Sequence, residues 1–213
     1  MEESTSLFNV LLKGGWMIIP IFIASLVALA ISIERWITLR RARIDTESFI
    51  QEIKEIVRKG GIYEAIHRCA RTPGPIAAIV KAGLEKREKS YTEIKDSIES
   101  AGRAEIYILE RNLGILATIA SVAPLLGFTG TVLGMIKAFM QIESLGGNVN
   151  ASVLAGGIWE ALVTTVAGLI VGIVTLIVYN YLVDRVQRFV FEMEVSSQGL
   201  IKVLPTREEK NEF

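Results

Sequence analysis

The chain has 213 residues, with 23 acidic and 23 basic side chains and a formal net charge of zero. That balance offers no bulk attraction to nucleic acid, so a nucleic-acid-binding role is not expected. The composition is 51% hydrophobic and the mean hydropathy +0.43, with the apolar residues gathered into uncharged runs rather than spread as in one soluble domain.

Three runs stand out in chain order. No charge lies between Gly14 and Ile33 or between Asn112 and Ile136, and Glu160 is the only one between Ser144 and Val183. Each reaches the roughly 20 residues that span a hydrocarbon core of about 30 Å. The expectation is an all-α integral membrane protein with three transmembrane helices. Lys and Arg crowd into the middle segment and the tail, whereas only Lys13 and Lys137 flank the other ends of the spans. The positive-inside rule then places the N-terminus outside and the C-terminus inside. The resulting segments are 1–13 (periplasmic), 14–34 (first span), 35–111 (cytoplasmic helical region), 112–140 (second span), 141–151 (periplasmic loop), 152–183 (third span) and 184–213 (cytoplasmic helix and tail).

The first span is uniformly apolar, bounded by Trp16 and by Trp36 with its neighbouring arginines, and reads as lipid-facing. It lacks a basic leader and a small-residue cleavage pattern, so a retained anchor is expected. In the middle segment Phe49, Ile50, Ile53, Ile56 and Val57 share one helical stripe. Ile62, Ala65, Ile66 and Cys69 form another after the Gly60-Gly61 break. Pro73-Gly74-Pro75 ends that hairpin, a short helix runs from Ile76 to about Lys89, and helix restarts near Tyr91. No stop signal lies between Tyr91 and Pro124, so one long helix is expected to carry the second span. The third span is expected to continue beyond Asp184, where Val186, Phe189, Val190, Met193 and Leu200 keep a helical period. Cys69 is the only cysteine and reads as a reduced, structural thiol; His67 reads as an ordinary surface or satisfied side chain.

Function points to the second and third spans. Gly127, Gly130, Gly134, Gly157, Gly168 and Gly172 make small-residue seams suited to close helix packing, and Pro124 is a candidate kink. Glu160 is different: a carboxylate inside a span is costly and usually faces a bundle interior or a water-filled cavity. Counted from the nearest charges, Arg111 and Asp184, Thr131 and Thr165 fall at matching depth, with Glu160 little more than a turn beyond. Thr131, Thr165 and Glu160, with Thr164 on the same small and polar stripe, are therefore the candidate polar layer, whose hydroxyls can pass hydrogen bonds to water or to a partner's acid. One acid makes a poor relay, so a second is expected from another polypeptide.

The stretches Ala123-Pro124-Leu125-Leu126-Gly127-Phe128-Thr129-Gly130-Thr131-Val132-Leu133-Gly134 and Gly157-Ile158-Trp159-Glu160-Ala161-Leu162-Val163-Thr164-Thr165 resemble the ExbB/TolQ branch of the MotA/TolQ/ExbB proton-channel family. Phe128-Thr129 and the bulky Trp159 depart from the usual pattern. The resemblance implies a homopentamer in the bacterial inner membrane around a dimer of single-span ExbD/TolR-like partners. It also implies proton flow past Thr131, Thr165 and Glu160, work on a TonB- or TolA-like transducer, and no cofactor or metal beyond the transported proton. A structural scaffold without conduction is the alternative reading. An enzyme is not expected, because no Ser/His, Asp/Asp or metal-ligand set appears in the spans.

Overall fold

A computed structural model describes residues 15–144 and 151–201, with side chains from 155 to 200 in the second stretch. The expectations for residues 1–13, for most of the 141–151 loop and for the tail beyond Ile201 fall outside the described residues. All regular structure described is helical: α1 (Ile18–Ala42), α2 (Thr46–Arg58), α3 (Ile62–Arg71), α4 (Pro75–Glu85), α5 (Tyr91–Glu110), α6 (Leu113–Ser144) and α7 (Ala151–Ile201). Three of the helical stretches are long and apolar enough to cross a membrane.

The expected single helix from Tyr91 through the second span is interrupted. α5 stops at Glu110, Arg111 is extended (φ −52°, ψ 134°), and Asn112 has φ +65° before α6 begins. Asparagine is among the few side chains that tolerate the left-handed region, so a break needs neither Pro nor Gly here. α7, by contrast, continues without a break from Ala151 to Ile201, as its periodicity implies.

The chain forms two compact units. The first comprises the described residues up to Ile33 together with Asn112–Asn180. Its framework is the α6–α7 pair. From Ala120 onward the buried positions of α6 are Ala120, Ala123, Gly127, Gly130, Gly134 and Ala138, and those of α7 up to Asn180 are Ala161, Thr164, Gly168, Gly172 and Thr175. Both series step by three and four, which is one helical face each. In the same unit α1 buries Ile21 and Ala28 and leaves Ile19, Phe22, Ile23, Leu26 and Leu29 exposed, the apolar exterior that a lipid-facing helix requires.

The second unit comprises Glu34–Arg111 and the chain from Tyr181. Its hub is α4, with Ile76, Ala77, Ile79, Val80 and Leu84 all essentially inaccessible. α2 contributes Phe49, Ile50, Ile53 and Val57, α3 Ala65 and Cys69, α5 Ile94 and Ile98, and the end of α7 Met193 and Leu200. Local signals set the joints. Asp45 caps α2 through the Ser48 amide at 3.2 Å, Gly60 (φ +82°) turns the chain between α2 and α3, and Ser90 and Glu93 form a reciprocal capping box on α5. Gly74 (φ +109°) lies against the end of α1, where any Cβ would stand 2.5 Å from the Ala42 carbonyl oxygen.

Cys69 belongs to this core. Burial pushes its thiol up to about 12 from an ordinary value of 9.0. The folded protein is therefore expected to resist alkylation by N-ethylmaleimide at pH 8 and to react only when denatured; rapid labelling of the native protein would refute this. Because the folded-state value is the higher one, this thiol's contribution is intact below pH 9 and is lost as pH rises from about 9 to about 12.

Candidate functional site

The α6–α7 pair is antiparallel, and its register follows from which backbone each glycine meets. A Cβ on Gly172 would strike Pro124 and approach the Ala120 carbonyl. One on Gly168 would stand 2.5 Å from the Ala123 carbonyl oxygen and 2.9 Å from the Gly127 Cα. Gly127 meets the backbone of Thr164 and Thr165, Gly130 the Thr164 side chain, Gly134 Ala161, and Gly157 Ala138. All six glycines singled out by sequence thus lie in the α6–α7 contact, where an added Cβ would come within 3.1 Å of the facing helix. Pro124 sits within α6, its ring packed on Gly172.

This packing decides how the threonines face. Thr165 is half-buried and donates from Oγ1 to the Gly127 carbonyl on α6 at 2.9 Å, a hydrogen bond between helices. Thr131, also half-buried, donates to the Phe128 carbonyl of its own helix at 2.6 Å. Since Gly130 meets Thr164 and Gly127 meets Thr165, Thr131 falls at the level of these two residues, as the depth count anticipates. Thr164 is placed differently: it is 1% exposed, packs on Gly130, and donates to the Glu160 carbonyl at 2.8 Å. It fills the seam behind the other two.

Glu160 meets a partner that the sequence reading did not assign. Lys137, on α6, places its Nζ 3.0 Å from Glu160 Oε1 on α7. The lysine side chain is 53% exposed and the glutamate side chain 30%. The same carboxylate lies over Gly15, just before α1, where any side chain would overlap Oε1. Gly15 has φ +65°, a conformation that glycine takes without a penalty. One carboxylate therefore contacts α6 and the approach to α1 while standing on α7. The pairing was available from the sequence. Lys137 lies six residues beyond Thr131 and Glu160 five before Thr165, so the antiparallel count that aligns the threonines also aligns these charges.

These features define a multi-pass, all-helical membrane protein whose polar groups converge between two tightly packed spans. The family model that matches residues 71–195, more than half of the chain, is described as the MotA/TolQ/ExbB proton channel family. The chain belongs to that family, in its ExbB/TolQ branch. An ExbB homologue from Methanothermobacter thermautotrophicus is 32% identical over 154 residues, covering 72% of this chain but only 54% of the relative. An ExbB-like protein of Synechocystis sp. is 34% identical over 171 residues, 79% of this chain and 81% of the relative. The Tol-Pal system protein TolQ of Haemophilus influenzae is 42% identical over 82 residues, 38% of this chain and 36% of the relative. The chain thus spans about half of the first relative and most of the second.

Proposed function

We propose that this chain is the multi-pass subunit of an inner-membrane proton channel that turns proton flow into work on a TonB- or TolA-like transducer. The observation that carries the reading is the α6–α7 seam, which holds the half-buried Thr131 and Thr165 at one level with a charged pair about two turns away. Hydroxyls can both donate and accept, so they can relay a hydrogen-bonded proton without a charge of their own. The family supports this use, and the names of the relatives support an energy-transducing setting. The chain holds no second membrane acid beside the threonines, so the carboxylate that is protonated and released comes from an ExbD/TolR-like partner. Phe128, Leu125 and Phe139 are about 60% exposed on α6. That apolar surface would be covered by lipid and by neighbouring copies, in a pentamer around the partner dimer. Orientation follows the positive-inside rule, with the Lys137 end of α6 periplasmic.

The test is proton flux into vesicles carrying the chain and its co-purifying single-span partner. Thr131→Val combined with Thr165→Val is expected to lower partner-dependent flux to background while the oligomer keeps its mass. Thr131→Ser with Thr165→Ser, which keeps both hydroxyls, is expected to retain flux. Normal flux in the valine variant would sink the channel reading and favour a packing scaffold.

A further inference from the structure

Thr131 and Thr165 need a fixed spacing, and nothing in the threonines themselves supplies it beyond the Thr165 hydrogen bond to Gly127. Glu160 and Lys137 lie further along the same two helices. At about 1.5 Å per residue, Lys137 is roughly 9 Å from the level of Thr131, and Glu160 roughly 7.5 Å from that of Thr165. Their contact at 3.0 Å bridges α6 and α7 near the end where the two helices connect. The carboxylate also occupies the space over Gly15, where the chain enters α1. A single charge at this position would be costly in a membrane-facing protein, whereas the pair is neutral as a unit.

From this geometry we infer that Lys137 is a positioning residue for the channel. Its ammonium holds the Glu160 carboxylate as an ionic pin that fixes α6, α7 and the start of α1 at one point, and Glu160 serves as that pin rather than as a proton carrier. The inference rests on the channel reading for its functional consequence, but the pin itself is a property of the fold and can be read separately. Displacing it shifts both threonine-bearing faces together, because both lie within two turns of it on continuous helices.

Charge reversal tests this. Lys137→Glu places two carboxylates where the pair now sits, and Glu160→Lys places two ammonium groups there. Each single reversal is expected to lower partner-dependent flux to background and to lower the thermal unfolding midpoint in detergent. The double exchange, Lys137→Glu with Glu160→Lys, and the conservative Lys137→Arg are expected to restore most of both. Background flux in a double exchange that keeps wild-type oligomer mass and unfolding midpoint would overturn the inference, since it would mean that a carboxylate is required on α7 itself. Wild-type flux in Lys137→Glu alone would overturn it equally. If the exchanged protein does not assemble, Lys137→Gln replaces it, since it removes the ion pair and leaves the α7 carboxylate in place. Background flux with a lowered midpoint in that variant supports the pin, and wild-type flux and midpoint overturn it. If the wild-type protein shows no partner-dependent flux, the channel reading fails, and the unfolding midpoints still decide the pin: midpoints unchanged by both single reversals overturn it, and loss restored by exchange upholds it.

Discussion

Gly168→Ala, a single added methyl group, is expected to break the packing of the two central spans. The methyl carbon would stand 2.5 Å from the Ala123 carbonyl oxygen, 2.9 Å from the Gly127 Cα and 3.0 Å from the Gly127 amide nitrogen. All three are backbone atoms of a long helix, so no side chain can rotate away to make room. The helices must separate, and separation forfeits contacts along the whole seam from Gly172 to Gly157, including the Thr165 bond to Gly127. Overpacking of this kind costs about 1–3 kcal/mol. The cost falls at the upper end here, because association of membrane helices depends on close van der Waals packing rather than on the hydrophobic effect. Gly156→Ala is the control: it lies on the same helix with nothing within 4 Å of the added carbon. A large fall in unfolding midpoint is expected for Gly168→Ala and little or none for Gly156→Ala. Equal midpoints for the two would show that the seam does not hold the helices together.

The second large effect is expected from Arg35→Met in the other unit. Arg35 is 3% exposed, which for an arginine requires partners. It pairs with Glu34 through two guanidinium nitrogens and donates from Nη1 to the Ile108 carbonyl at 3.0 Å. That carbonyl belongs to the last turn of α5, where main-chain oxygens lack helical partners and a cation is favoured. Methionine fills much of the volume but takes the donor from the part-buried Ile108 carbonyl and the two-nitrogen guanidinium contact from Glu34. Because Glu34 is 43% exposed, part of its charge remains solvated, and the expected loss is about 2–3 kcal/mol rather than that of a fully buried pair. Denaturant unfolding followed by helical signal checks this. A loss below about 0.5 kcal/mol, the range of ordinary surface substitutions, would contradict the role assigned to Arg35.

Much of the architecture was legible because its causes are local. Apolar run length marked the spans, Gly60-Gly61 and Pro73-Gly74-Pro75 marked the joints, and the stripes on α2 and α3 became core faces as their periods required. The break at Asn112 was missed because asparagine is permissive of the left-handed region without demanding it; whether it uses that freedom depends on what the flanking helices pack against. The burial of Arg35 was missed for a related reason. A sequence shows a basic cluster at the end of a span, which usually means interfacial anchoring, but not which member finds a carbonyl 73 residues away.

The site divides along the same line. Residue type and helical count sufficed to single out Gly127, Gly130, Gly134, Gly157, Gly168 and Gly172, and to bring Thr131 and Thr165 to one depth, since rise per residue is a constant of the helix. Rotation about the helix axis is not fixed by composition. Only the packed pair shows that Thr164 turns into the seam while Thr165 reaches across it, and that Glu160 meets Lys137 and Gly15 instead of standing alone. Those are contacts between helices, set by interdigitation of the two surfaces, and a linear chain carries them only once its register is known.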